Sequence, residues 1–480
     1  MKVKDLLKGV EYFCKDKSLL EYEVADISFD NRDIKENSIF VAYKGVSYDT
    51  HNDINKLIND SRIKVLVTEK EFDFPTIVVK NGRRALSIIS KNFFIKNYEP
   101  NYIGVTGTNG KTTTAYLINH IVEFTGYKTA RFGTINYKID KELYPSTTTT
   151  PSTYEFYKML GVAEKANCEF VVMEVSSHAL DQDRVYGINF NYAIYTNLSG
   201  DHLDYHKDLD DYFNSKSKLF TEYLNGCGIV NIDDEYGKKL LYLIKDNEIL
   251  TYSFNNNKAN CFVEHFDMNL DKTDIVLNLL GEKIHFETSL VGKHNIYNLM
   301  AAILTAHHLG IDHDRITRAI KTFSNVPGRL EKLIYNNIYI FIDYAHTDDA
   351  LENVLSSLRP FRKRRIITLF GCGGDRDKSK RPRMAKVAEK YSDLVMVTSD
   401  NPRNEDPEKI IDGILKGFGD KSKVVVEPDR REAIKLALKE AEPEDIVLIA
   451  GKGHEDYQLI KGVKYHFDDK EEVINFFEGK

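Results

Sequence analysis

The run Gly104-Val105-Thr106-Gly107-Thr108-Asn109-Gly110-Lys111-Thr112-Thr113-Thr114 has the residue types that phosphate chemistry needs, in a usable order. Backbone N–H groups of a glycine-rich turn can close around phosphate oxygens. Lys111 supplies a point charge for the terminal phosphates, and Thr112 offers a hydroxyl to Mg2+. Gly107 and Gly110 enclose two residues, where the common phosphate loop has four between its glycines. The flanks supply the required context. Tyr102-Ile103-Gly104-Val105 is a short apolar run that reads as a strand, and Ala115, Leu117, Ile118, Ile121 and Val122 recur at helical spacing. Residues 107–113 are therefore expected to cradle ATP.

Two further runs put polar chemistry directly after apolar strands, where open α/β sheets bind ligands. Met173-Glu174-Val175-Ser176-Ser177-His178 places a carboxylate in a buried strand, so Glu174 is expected to face a cation. Thr196-Asn197-Leu198-Ser199-Gly200-Asp201-His202-Leu203-Asp204 adds an imidazole and two carboxylates near the same sheet edge. By itself His202 reads equally as a cap or a packed ring; beside Glu174 and a phosphate loop it reads as a ligand.

The elements that must position these groups form a rhythm of buried strands and helices. After Pro100, the strands Phe170 to Val175 and Ala193 to Leu198 predict a central parallel sheet with helices on both faces. Residues 1–98 hold shorter alternating runs, such as 38–43 and 64–68, and read as a small α/β domain. Asn325-Val326-Pro327-Gly328-Arg329 reads as a linker. Beyond it, strands at 338–342, 366–370, 394–397 and 446–450 predict a second doubly wound, Rossmann-like domain. The expected division is 1–98, 99–326 and 327–480. The basic run Arg359 to Arg365 reads as a solvated helix end.

Composition narrows the class. The 480 residues suffice for about three domains. Sixty-six basic against 73 acidic residues give a net charge of −7, which disfavours nucleic acid as a partner. Cys14, Cys168, Cys227, Cys261 and Cys372 show no metal-like pair spacing and read as reduced thiols of a cytoplasmic protein. The N-terminal run is too polar for a signal peptide, and nowhere do about 18 apolar residues follow one another, so neither export nor a membrane span is expected.

Taken together the motifs resemble the Mur ligase family, the ATP-dependent amide-forming enzymes of peptidoglycan precursor synthesis. The resemblance rests on residues 106–112, Glu174-Val175-Ser176-Ser177-His178, Asp201-His202-Leu203-Asp204, Gly292-Lys293-His294-Asn295-Ile296-Tyr297-Asn298, Pro327-Gly328-Arg329 and Asp343-Tyr344-Ala345-His346-Thr347. Gly371-Cys372-Gly373-Gly374-Asp375-Arg376, Asp400-Asn401-Pro402-Arg403 and Gly451-Lys452-Gly453-His454-Glu455 are similar to the members that add the third residue of the stem peptide.

The resemblance implies an acyl-phosphate mechanism. ATP phosphorylates the D-glutamyl carboxylate of UDP-N-acetylmuramoyl-L-Ala-D-Glu, and an amine then displaces phosphate. It implies catalytic roles for Lys111, Glu174, His202 and a carbamylated Lys216, with Lys218 as the competing register. Thr112 and Glu174 would hold one Mg2+, and His202 and Lys216 a second. Asn295, Arg329 and Asp343 would contact the adenine, phosphates and ribose of ATP, bound between the central and C-terminal domains. Ser28, Asn31, Gly45, Thr149, Thr150, Ser176, Gln182 and Arg184 would bind the UDP-linked substrate. Arg376, Asp400, Asn401, Pro402, Arg403, Gly451 and Glu455 would bind the amino acid. Meso-diaminopimelate carries a distal carboxylate that lysine lacks, and Arg403 is the cation expected to meet it. The remaining alternatives are a lysine-adding ligase and a nucleotide-binding switch without ligation. A monomer is expected.

Overall fold

The computed structural model describes residues 1–46, 48–202 and 205–479. Backbone packing divides the chain into two compact units, Met1–Lys111 with Val122–Thr251, and Thr112–Ile121 with Tyr252–Lys480.

The first unit holds two sheets. The smaller runs in the order Tyr12–Cys14, Ile77–Val79, Ile63–Thr68, Ser38–Val41, Asp26–Ser28, with every pairing parallel except the first. Alternation along one strand builds two layers: Ile39 and Val41 pack with Leu86 and Ile89 of the helix Gly82–Phe94, while Phe40 and Ala42 pack with Ile54 and Leu57. The larger sheet sets Leu224–Asn231, Phe190–Tyr195, Asn101–Thr106, Phe170–Glu174 and Thr129–Phe132 side by side, all parallel. Two antiparallel strands, Asn136–Ile139 and Glu142–Pro145, extend it. All five residues of Phe170–Glu174 are buried, as a strand covered on both faces requires. The helices Thr153–Lys165 and Leu209–Thr221 cover its Val171 and Met173 face.

In the second unit, Cys261–Met268, Thr273–Leu279 and Glu282–Thr288 form an antiparallel meander. A six-stranded sheet follows in the order Glu331–Tyr335, Ile338–Asp343, Ile446–Ala450, Ile366–Phe370, Leu394–Val397, Val424–Val426. Only its first pairing is antiparallel. Phe341, Ile366, Phe370 and Leu448 face the helices Asp348–Leu358, Lys380–Tyr391 and Pro407–Leu415. Ile340, Ile367, Leu369 and Val447 face Arg430–Glu440 and Asp469–Glu478. This is the doubly wound arrangement read from the alternating pattern. The residues 359–365 begin with a short 3-10 turn, Arg359–Phe361; Arg359 donates to Tyr391 O at 2.8 Å, while Arg362, Lys363, Arg364 and Arg365 find acidic partners, Arg365 reaching Asp445 at 2.7 Å.

Candidate functional site

The phosphate-loop run folds as its residue types require. Strand Asn101–Thr106 ends at Gly107, and the helix Lys111–Phe124 begins after Gly110. Gly107 has φ +144°, and a Cβ there would lie 1.9 Å from the Thr196 hydroxyl, so only glycine fits. Thr108 N–H donates to Asn197 O at 2.8 Å, and Asn109 N–H to Asn197 Oδ1 at 3.0 Å, which ties the loop to the end of the neighbouring strand. Lys111 Nζ donates to Gly107 O at 2.9 Å and Thr108 O at 2.8 Å.

Lys216, on the helix Leu209–Thr221, reaches the same place: its Nζ donates to Gly107 O at 2.8 Å and lies 4.4 Å from the centre of the Tyr212 ring. The residue is 1% exposed. Burial, reinforced by Lys111 nearby, pushes its ammonium well below the ordinary lysine range. Lys218, two residues further along the helix, instead pairs with Asp181 at 3.7 Å.

Glu174 ends its strand 1% exposed. Its carboxylate accepts from Thr134 N–H at 2.8 Å and the Thr134 hydroxyl at 3.0 Å, and Thr134 also reaches Thr149 Oγ1 at 3.2 Å. A Cβ at Gly133 would lie 2.3 Å from Glu174 Oε1, so this turn is closed tightly on the carboxylate. His202 has a left-handed backbone, φ +56°. Its ring lies 5.0 Å from His178 and 6.0 Å from Tyr212, and its Nε2 is 3.6 Å from Asp201. Leu203 and Asp204, the rest of that motif, lie outside the described residues. As a donor set, the Thr112 hydroxyl and Glu174 carboxylate are hard oxygens of the kind Mg2+ takes, whereas an unmodified Lys216 amine is not.

Thr150, Ser176 and Arg184 interlock beside that strand end. Ser176 N–H donates to Thr150 Oγ1 at 2.9 Å, and the Thr150 hydroxyl donates to Glu174 O at 2.8 Å. Arg184 donates to Thr150 O at 3.0 Å and to Gln182 Oε1 at 2.9 Å. A cavity of about 370 Å³ is lined by Gly45, Gln182 and Arg184, together with Phe29, Tyr43 and Arg83, which sequence reasoning had not singled out. The other expected contacts, Ser28, Asn31, Thr149, Thr150 and Ser176, are not among its lining residues. Ser28 is buried and donates to Ser38 Oγ at 3.0 Å, and Asn31 donates to Asp53.

In the second unit Asn295 sits within the helix Lys293–His308, not at its start; Gly292, with φ +100°, precedes that helix. Asn295 Nδ2 donates to Val291 O at 2.8 Å and its Oδ1 accepts from Asn298, which itself accepts from Thr114 at 3.2 Å. Arg329 stacks on Tyr344 with 4.8 Å to the ring centre and donates to the Thr112 hydroxyl at 3.3 Å. Asp343 accepts from Leu330 N–H at 2.7 Å and Ala345 N–H at 2.8 Å; burial nonetheless pushes its carboxyl up.

The amino-acid motifs converge at strand ends of the six-stranded sheet. Asn401 Nδ2 donates to Glu455 Oε2 at 2.7 Å, and Leu459 N–H donates to Asn401 Oδ1 at 2.8 Å. Arg403 has a left-handed backbone, φ +53°. Its N–H donates to Leu459 O at 2.9 Å, its C=O accepts from Lys461 N–H at 2.7 Å, and its guanidinium donates to Gly374 O at 2.9 Å. The hairpin of Tyr457–Ile460 and Val463–His466 thus clamps the arginine from outside. A Cβ on Gly374 would lie 2.0 Å from Pro402 O, and one on Gly451 2.6 Å from Asp400 Oδ2. Burial pushes the Glu455 carboxyl up, against the pull of Lys452 at 3.3 Å. Lys452, fully buried among Glu455, Asn401 and Tyr457 O, sits inside a quoted motif, but its task is visible only through those partners. Arg376 is exposed and donates to Asp375 O at 3.2 Å.

Comparison with known proteins matches these features to one family. Residues 105–306 match the Mur ligase middle domain, and 328–453 match the Mur ligase glutamate ligase domain. The chain is 45% identical over 466 residues to the UDP-N-acetylmuramoyl-L-alanyl-D-glutamate–2,6-diaminopimelate ligase of Aquifex aeolicus, covering 97% of this chain and 96% of that protein. It is 40% identical to the ligase of the same name from Clostridium tetani, over 100% and 99% of the two chains. A solved structure of a ligase of that name superimposes with a TM-score of 0.74 at 32% identity, covering 100% of this chain and 99% of the other. No helix among the described residues is long and apolar enough to cross a membrane. With its glycine-rich strand–turn–helix at 101–124 and full-length similarity to these enzymes, the chain belongs to the Mur ligase family of ATP-dependent ligases.

Proposed function

We propose that this protein joins meso-2,6-diaminopimelate to the D-glutamyl carboxylate of UDP-N-acetylmuramoyl-L-Ala-D-Glu, in the cytoplasm and as a monomer, forming ADP and phosphate. The observation that carries the amino-acid assignment is Arg403, clamped by a hairpin and facing the Gly373-Gly374 turn beside Asn401 and Glu455. A guanidinium suits the distal carboxylate of diaminopimelate, and Glu455 suits an ammonium. In this reading residues 1–98 bind the UDP moiety, 99–326 activate the carboxylate and 327–480 receive the amino acid.

A carboxylate is a poor acyl donor, so transfer of the γ-phosphoryl group first supplies a leaving group. The amine then attacks the acyl carbon, and phosphate departs with the C–O bond electrons. Lys111 and the loop N–H groups hold the phosphates, while Asn295, Arg329 and Asp343 receive the nucleotide. Thr112 and Glu174 would hold one Mg2+; His202 and Lys216, the latter as a carbamate, would hold a second. Bound Mg2+ supplies neutralisation of the charge gathered between triphosphate and carboxylate. The depressed ammonium of Lys216 favours the neutral amine, the form that adds CO2.

The test is turnover with ATP, Mg2+, the muramoyl dipeptide nucleotide and either diaminopimelate or L-lysine, read as phosphate release and amide mass. Diaminopimelate is expected to exceed lysine by about 100-fold or more in kcat/KM, because an arginine left without its carboxylate is costly. Preference for lysine would overturn the amino-acid assignment. Phosphate release indifferent to both co-substrates would favour a nucleotide switch.

A further inference from the structure

The cavity that holds Gly45, Gln182 and Arg184 has an electrostatic imbalance. Arg83 and Arg184 both line it, and no Asp or Glu is among the described residues that do. Arg184 is anchored by neutral acceptors only, Gln182 Oε1 and Thr150 O, so its charge has no counter-ion there. Burial, and to a smaller degree the charge of Arg83, pulls its guanidinium below the ordinary arginine range. Arg83 has one described contact, the Tyr43 ring, with 6.0 Å to its centre. Its neighbour Arg84 differs: it pairs with Asp183 at 3.2 Å and lies 4.7 Å over Tyr186, a structural use of the side chain. Two guanidinium groups of like charge sharing a cavity of about 370 Å³ without a carboxylate are mutually unfavourable unless an anion joins them. Each guanidinium offers a planar fork matched to phosphate oxygens. A second cavity that shares Phe29 with it has a net acidic lining, Asp26, Asp30, Asp33 and Glu155 against Lys35 and Lys158, so the basic cavity is the one fitted to an anion.

We propose that Arg83, with Arg184, binds the diphosphate of the nucleotide-linked substrate, and that Tyr43 holds the Arg83 guanidinium toward it. The proposal rests on the reading that the substrate is a uridine diphosphate derivative, and it adds a binding residue that the motifs do not contain. A diphosphate distinguishes this cavity from a site for a neutral sugar or a bare nucleoside.

Calorimetric titration of the full chain with UDP and with uridine tests it, using wild type, Arg83→Met, Arg83→Lys and, as a control, Arg84→Met. Wild type is expected to bind UDP more tightly than uridine. Arg83→Met should weaken UDP by about tenfold or more, the scale of one charge-assisted pair, and leave uridine within twofold. Arg83→Lys should recover only part of the loss, and the KM for the muramoyl dipeptide nucleotide should rise while those for ATP and diaminopimelate hold. UDP affinity within twofold of wild type in either Arg83 variant, with an unchanged melting temperature, overturns the role of Arg83. If Arg83→Met does not fold, Arg83→Lys alone decides by the same criterion. Wild-type protein that binds no UDP overturns the underlying nucleotide-sugar reading instead.

Discussion

At the residue scale, Lys216 is the group whose chemistry departs furthest from its type. Its amine is sealed against Gly107 O, with the Lys111 charge close by and no carboxylate hydrogen-bonded to it among the described residues. Burial of an ammonium in that setting opposes folding, and the sign of its pH dependence follows. The unfolded lysine titrates near 10.5 and the folded one lower, so below 10.5 the unfolded state binds more protons. Stability contributed at this position therefore falls as pH drops from 10.5 toward the folded value. Lys216→Met removes the dependence. In carbonate-free buffer its melting temperature is expected to exceed that of wild type by an amount that grows as pH is lowered from 10 toward 7. Its ligase turnover should fall by on the order of 100-fold, the cost of losing one preorganised electrostatic group. A variant that melts earlier than wild type at neutral pH, or that keeps full turnover, would contradict this account of Lys216.

At the element scale, the amino-acid motifs are loops at the ends of parallel strands, and their geometry is set from behind. Arg430, fully buried at the start of the helix Arg430–Glu440, donates to Ala450 O at 3.0 Å and Ser399 O at 3.3 Å. It also forms two hydrogen bonds with Asp469 at the start of the helix Asp469–Glu478, at 2.8 and 2.7 Å. One guanidinium thus fixes two strand ends and two helices beneath Asp400 and Gly451. Both side chains of the pair are 0% exposed, so removing one partner leaves a buried charge. Asp469→Asn is expected to cost about 3–5 kcal/mol of stability. Its KM for diaminopimelate should rise more than its KM for ATP, and a chemical melt combined with both KM values checks this. An unchanged melt would show that the pair is not a keystone of these loops. The sheets and their helices were legible in the sequence because period-2 and period-3.6 patterns and glycine turns are local signals. The strand–turn–helix around Gly107 and Gly110 was legible for the same reason. Arg83 was not, since the residues that share its cavity stand at 43 and 184, and neither was Lys452, whose meaning lies in 401, 455 and 457. The hairpin Tyr457–His466 also escaped notice: its residues alternate around Lys461-Gly462, but its burial does not, one strand being half-buried and the other exposed.

At the scale of the whole molecule, compactness and sequence order disagree in one respect. Punctuation by Pro and Gly divides a chain into consecutive segments, yet Thr112–Ile121 counts with Tyr252–Lys480. Within that unit Thr114 donates to Asn298, and the His120 ring packs 5.2 Å from Phe323 with its Nε2 2.9 Å from Ala319 O. Leu117, Ile118 and Ile121 are all 0% exposed, and the helix Lys293–His308 is buried without a break over 298–306. A helix apolar on all sides needs cover on all sides. Burying three large aliphatic side chains contributes about 5–9 kcal/mol, which is comparable with the whole stability of an ordinary domain. Residues 327–480 are different, because helices cover both faces of their sheet. A fragment of residues 252–480 is therefore expected to bind a hydrophobic dye and to lose the ellipticity of its N-terminal half without a sharp transition, while a fragment of 327–480 melts cooperatively. Circular dichroism melts of the two fragments with dye titration measure this directly, and a sharp, dye-silent melt of 252–480 would show that Thr112–Ile121 is dispensable to its unit.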